Sequence, residues 1–136
     1  RPLEYFEHMW DVLNAEEEDR MKVFLAEHEG DVVAATTFVT VGEHAWYSYG
    51  ASTTVKREVR GSNAIQWAMI RTANEARCAV YDMRGIVAGV GANDPEIGLI
   101  QFKVGSGGQA VAFPGEWDKP INPILYKAFD LYMKRR

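Results

Sequence analysis

Two β-rich runs, "MKVFLAEHEGD" and "VVAATTFVTV", follow one another across Glu29-Gly30-Asp31, and this pairing limits the fold more than any other feature of the chain. Valine, phenylalanine and threonine suit a pleated, half-buried surface, and a glycine between polar neighbours supplies the turn, so the two runs predict an antiparallel hairpin. After Gly42, "HAWYSYGAS" adds a third strand, which makes a meander. Strict alternation along it places Trp46 and Ser48 on one face and Tyr47 with Tyr49 on the other.

Helical patterns surround the meander. Leu3, Phe6, Met9 (or Trp10) and Leu13 recur at helical spacing from Pro2, which suits a first turn, and "NAEEED" then reads as a solvated loop. The polar segment "TTVKREVRGS" ends in a Gly-Ser pair that should cap a helix whose face is Ile65, Ala68, Met69, Thr72, Ala73 and Ala76. Next come a short buried strand "AVYDMRGIV", a loop "AGVGANDP", a short helix in "PEIGLIQFKV", a strand "QAVAFPGEW" interrupted by Pro114, and a last helix opened by Asn122-Pro123. Trp67 and Trp117 are expected to pack. The order predicts an α/β fold, a mixed and mostly antiparallel sheet flanked by helices, rather than a doubly wound parallel sheet.

A chain of 136 residues fits one domain, and 47% hydrophobic residues exclude a disordered tail. A net charge of −4 argues against a broad basic surface that would hold a nucleic-acid backbone, so any RNA must be held by a local patch or by another domain. The single cysteine, Cys78, can form no internal disulfide and offers no zinc cluster, which is compatible with a cytoplasmic setting. His8, His28 and His44 lie on separate elements in no liganding pattern, so no metal is expected. The opening "RPLEYFEHMW" begins inside an amphipathic pattern without the features of a signal peptide, and reads as a cut from a longer chain.

The element order is similar to the second half of the acetyltransferase-like fold called GNAT, which makes coenzyme A-dependent N-acetylation one hypothesis. That chemistry needs a loop whose backbone amides cradle a pyrophosphate before the central helix. The matching window is Glu58-Val59-Arg60-Gly61-Ser62-Asn63, where a carboxylate and an asparagine side chain make a poor cradle. The fold expectation stands and the coenzyme is disfavoured.

A narrower resemblance is carried by "YSYGAS", "AIQWAMIRTANEARCAVYDMRGI" and "GLIQFKVGSGGQAVAFPGEWDKPINPILYKAFDLY", with "RPLEY" as a further block. These segments resemble the carboxyl-terminal portion of Fem-type aminoacyltransferases. The resemblance implies transfer of an amino acid from aminoacyl-tRNA to an amino group of a peptidoglycan precursor, a muramyl pentapeptide in nucleotide-linked or lipid-linked form. No further cofactor is implied. Residues 1–136 would then be a single GNAT-like domain, the second of a tandem pair whose amino-terminal partner completes the cleft. A lipid-linked acceptor would bring the protein to the inner face of the plasma membrane as a peripheral contact. A non-catalytic alternative is a domain that binds the precursor alone.

Aminoacyl transfer attacks an ester with an amine, so it needs a deprotonated nucleophile and a positive or hydrogen-bonding group near the oxyanion. No covalent nucleophile is required, and Cys78 at a helix end lacks the setting of one. By resemblance, Phe102 and Lys103 match the Phe-Lys pair of the family's transfer site. Lys103 could hold a phosphate, a ribose oxygen or the oxyanion, and Phe102 could stack on the terminal adenine. Read without the resemblance, Phe102 is core and Lys103 an exposed helix cation. Arg1 and Tyr5, four residues apart on one helix face, resemble the family's phosphate-binding Arg and Tyr, and Tyr49 matches a tyrosine on the adjoining strand. Tyr47, expected on the same face, is placed with it on the precursor. Asp82, at a strand end, could orient an amine or ribose or else cap the backbone of the following turn. Glu116 and Asp118 could anchor a peptide's charge.

Overall fold

The computed structural model describes residues 1–86, 96–115 and 117–134. The loop expected at 88–95, Glu116 and the arginines of the terminal "KRR" lie outside these described residues. Helix α1 (Leu3–Glu16) leads into strands β1 (Met21–His28), β2 (Asp31–Val41) and β3 (His44–Ser52). Helix α2 (Gly61–Glu75), strand β4 (Val80–Asp82), helix α3 (Ile97–Gly105) and helix α4 (Pro123–Lys134) follow. The sheet runs in the order β1-β2-β3-β4. The first three strands pair antiparallel, and β4 joins β3 in parallel through Ala45 and Tyr81.

The hairpin closes as expected, through a two-residue loop in which Glu29 (φ +52°) and Gly30 (φ +84°) are both left-handed. That geometry matches the right-handed twist of the flanking strands, and Gly30 adopts it without steric cost. The core lies between the sheet and α2, where Ile65, Met69 and Ala73 meet Ala34, Phe38 and Ala45. Phe38 is 1% exposed and meets the rings of Phe24 at 5.7 Å and Tyr81 at 6.3 Å. The predicted helical face is correct at Ile65, Met69 and Ala73. Gln66 was not expected there, yet it is buried, because its Oε1 accepts a hydrogen bond from Tyr81 Oη at 2.7 Å. Burial raises the Tyr81 phenol pKa above its ordinary value, so it is a committed donor.

Several local expectations are corrected. Ser62 does not cap α2: the helix begins at Gly61 behind a left-handed Arg60, with no side-chain cap. Pro123 does open α4, where Asn122 Oδ1 accepts from the backbone N–H groups of Ile124 and Leu125. No strand forms among the described residues of "QAVAFPGEW", because Pro114 lacks a donor, Gly115 turns to φ +86°, and Val111 and Phe113 remain exposed. Trp67 and Trp117 are exposed rather than packed. The apolar residues of α4, Ile124, Leu125 and Phe129 among them, are exposed as well.

The start of "NAEEED" is helix, not loop, since α1 continues to Glu16. Asn14 explains the extension: its Nδ2 donates to Met21 O at 3.1 Å and its Oδ1 accepts from Met21 N–H at 2.8 Å. One side chain thereby fixes the end of α1 to the start of β1. Asn14→Ala is expected to destabilise the protein by about 1–3 kcal/mol, because it leaves half-buried backbone groups unpaired. An urea melt that superimposes on the native curve would show that the bracket carries no weight.

Candidate functional site

The site is assembled on the sheet face opposite α2. Of the expected apolar face of α1, Phe6, Met9 and Leu13 are half-buried there, whereas Leu3 is exposed. Tyr5 and Met9 of α1, Trp46 and Tyr49 of β3, and Arg84 just past β4 line an open cleft of about 350 Å³. Tyr49 reaches it through an irregularity in β3. Tyr47 pairs with Phe38 and Tyr49 with Thr37, so Ser48 is an extra residue with no partner of its own in β2. Such a bulge reverses the alternation of side chains. Thr37 Oγ1 holds it in place by accepting the Tyr49 N–H at 3.0 Å.

This bulge corrects the placement of Tyr47. Tyr47 is half-buried against the core cluster on the α2 side of the sheet, so the two tyrosines do not share a face. The ring lies over Gly50, where an added Cβ would stand 2.3 Å from Tyr47 Oη. A glycine is needed there for close approach rather than for backbone freedom. Burial raises the Tyr47 phenol pKa, as expected of a ring committed to the interior.

Arg1, Tyr5 and Tyr49 do come together. The Tyr5 and Tyr49 hydroxyls hydrogen-bond at 3.1 Å across 44 residues of sequence, and the Arg1 guanidinium lies 5.7 Å from the Tyr5 ring centroid. Phe6 stacks edge-on against both phenols, at 5.4 and 5.2 Å. The Tyr49 pKa is lowered, first by the hydrogen bond with Tyr5 and then by the Arg1 and Arg84 guanidinium groups. The same bond raises Tyr5, and either hydroxyl can be its donor. Arg84 in the cleft and Arg1 over the Tyr5 ring thus add two cations to the phenolic donors, a set suited to phosphate oxygens.

Lys103 and Asp82 both bind the backbone of Arg84, whose side chain lines this cleft. Lys103 is 7% exposed, which corrects the expectation of an exposed helix cation. Its Nζ donates to Gly85 O at 2.7 Å and to Arg84 O at 3.3 Å. Burial lowers its pKa, while Asp82 and Glu96 favour the charged form. Asp82 Oδ1 accepts the Arg84 N–H at 2.6 Å, so the capping expectation is met and that oxygen shapes the turn. Phe102, beside Lys103 on α3, is half-buried. Asp118 accepts from Tyr126 Oη at 2.7 Å. The histidines are exposed, and no group of three or more His, Cys, Asp or Glu among the described residues could hold a metal.

Arg84 is the residue that sequence reading missed. It joins the two groups of expected residues, its side chain lining the cleft and its carbonyl bound to Lys103. The available signal was its position between Asp82 and Gly85, directly after a strand of a parallel pair, where ligands gather in α/β sheets.

A mixed sheet with α2 on one face and α1 on the other, and a cleft at the end of β3 and β4, define a GNAT-like domain. The aminoglycoside 6′-N-acetyltransferase from Acinetobacter haemolyticus has a similar fold, with a TM-score of 0.57 at 13% identity over 86% of this chain and 82% of that one. The family model of the FemAB family matches residues 7–134, and the chain belongs to that family. It is 30% identical over 127 residues to the UDP-N-acetylmuramoylpentapeptide-lysine N(6)-alanyltransferase of Weissella viridescens, covering 93% of this chain and 35% of that protein. It is 27% identical over 118 residues to the aminoacyltransferase FemA of Staphylococcus epidermidis, covering 85% of this chain and 28% of that protein. The chain thus spans about a third of the length of these relatives.

Proposed function

We propose that the protein transfers an amino acid from aminoacyl-tRNA to an amino group of a peptidoglycan precursor, on the cytoplasmic side of the membrane. The observation that carries the reading is the junction of Tyr5 with Tyr49 at 3.1 Å beneath Arg1, since the resemblance assigns these residues to the precursor's phosphates. In the transfer step the acceptor amine, once deprotonated, attacks the ester carbonyl carbon and a C–N bond forms. The ester C–O bond then breaks, and the tRNA ribose oxygen leaves with a proton. Lys103 would stabilise the oxyanion of the tetrahedral intermediate, and Phe102 would stack on the terminal adenine. The activated ester supplies the driving force, so no cofactor is invoked. This domain would act as one of two GNAT-like units of the working enzyme.

Parallel NMR titrations of the chain with the nucleotide-linked muramyl pentapeptide and with acetyl-coenzyme A test the reading. Shifts at Tyr5, Tyr49 and Arg84 with the precursor alone are expected. Shifts near Gly61 with acetyl-coenzyme A alone would replace this reading by N-acetylation. Gly61 already has a packing reason to be glycine, because a Cβ there would lie 2.7 Å from Val33 Cγ2. Precursor binding by a protein that transfers nothing from aminoacyl-tRNA would reduce the assignment to a binding domain.

A further inference from the structure

We infer that Arg84 is a second precursor-binding cation, which with Arg1 and the Tyr5–Tyr49 pair makes the cleft selective for a diphosphate over a single phosphate. The inference rests on the functional reading above and adds a residue and a selectivity to it. Three observations carry it. Arg84 lines the same cleft as Tyr5 and Tyr49. Its backbone is unusually well held: a non-glycine residue at φ +65°, its N–H bound by Asp82 and its carbonyl by Lys103, with the next carbonyl bound by Lys103 too. A left-handed conformation is costly for an arginine, and here both neighbouring peptide groups are fixed by side chains that maintain it.

The third observation is charge. Neither Arg1 nor Arg84 takes part in an ion pair among the described residues, a state they share with other arginines of the chain, and what sets these two apart is that both act on the Tyr49 phenol. Two guanidinium groups next to the same phenol repel one another until an anion lies between them. Each can present a fork of donors to one phosphoryl group, while the Tyr5–Tyr49 pair can donate to an oxygen between the forks. A ligand with two linked phosphates satisfies both cations, and one with a single phosphate leaves a guanidinium unmatched. Nucleotide-linked and lipid-linked precursors share this diphosphate.

The test is a calorimetric titration of the chain and its variants with a uridine diphosphate sugar, uridine monophosphate and a prenyl diphosphate in detergent micelles. The native chain is expected to prefer the diphosphates. Arg84→Gln should weaken diphosphate binding about tenfold or more while changing monophosphate binding little, which is the loss of one charge-assisted contact. Arg84→Lys should recover part of the affinity by keeping the charge. Arg84→Gly, which suits the left-handed backbone without strain, should reproduce the glutamine result and so exclude a folding effect. Arg84 dependence for only one of the two diphosphates would identify which carrier the cleft reads. Diphosphate binding that is unchanged in Arg84→Gln but lost in Tyr49→Phe would overturn the role of Arg84 and leave the site intact. A native chain without any preference for diphosphate over monophosphate would overturn the inference, whereas the functional reading stands or falls separately, on the titration with the muramyl precursor described above.

Discussion

Lys103→Met is expected to lower the rate of amino-acid transfer by about 10²–10³-fold, the usual consequence of removing one donor from a developing oxyanion. Methionine keeps the aliphatic stem that fills the buried position on α3, so the substitution removes the ammonium with little change in volume. Two N–H bonds to the carbonyls of Arg84 and Gly85 are lost with it. Precursor affinity should therefore fall as well, but by less than about tenfold, since Arg84 is one contact among several. The separation of the two effects is the diagnostic quantity. If transfer and precursor affinity fall by the same factor, Lys103 serves only to hold the turn at Arg84. If transfer is untouched, the proposed role is lost.

Phe38→Ala should destabilise the protein by about 3–5 kcal/mol, as large cavities left by aromatic residues do. For a domain of this size that corresponds to a Tm lower by roughly 10–20 °C. Phe38 is fully enclosed between Phe24 and Tyr81 and stands opposite Tyr47, immediately beside the bulge. Its loss is expected to loosen the irregular pairing that turns Tyr49 into the cleft, so precursor binding should decline even below the melting temperature. Thermal melts and titrations on one variant preparation measure both. A Tm within a few degrees of native would mean that the sheet tolerates the cavity and that the core assignment is wrong.

The meander, α2 and the two distal helices were legible because their signals are local: alternation, a glycine turn, and a proline behind a capping asparagine. The strand expected at "QAVAFPGEW" pairs with no other strand among its described residues, and a local pattern cannot report the absence of a neighbour. Gln66 was invisible for a related reason. A buried amide is decided by the phenol it meets, and Tyr81 lies 15 residues away. In the site, Arg1, Tyr5, Tyr49 and Lys103 are named only through resemblance, and the geometry brings Arg1, Tyr5 and Tyr49 together and buries Lys103. Lys103 could not be recognised as buried, since that depends on two carbonyls beyond β4. Arg84 is not legible in the sequence, because an arginine beside a glycine in a strand-end segment looks like a solvated charge until its backbone conformation is known.

The bulge at Ser48 has one more consequence. The placement of the two tyrosines depends on parity, on whether an odd or an even number of residues separates them from the last regularly paired position. Removing a single residue between Trp46 and Gly50 would leave composition, charge and strand propensity almost unchanged, yet it would send the next aromatic ring to the wrong side of the sheet. Substitutions within this strand can be judged by chemistry, but insertions and deletions must be judged by counting. Two family members that align well in this region without a gap should keep the phenol in the cleft, whereas a one-residue gap there marks a protein whose cleft has been rebuilt.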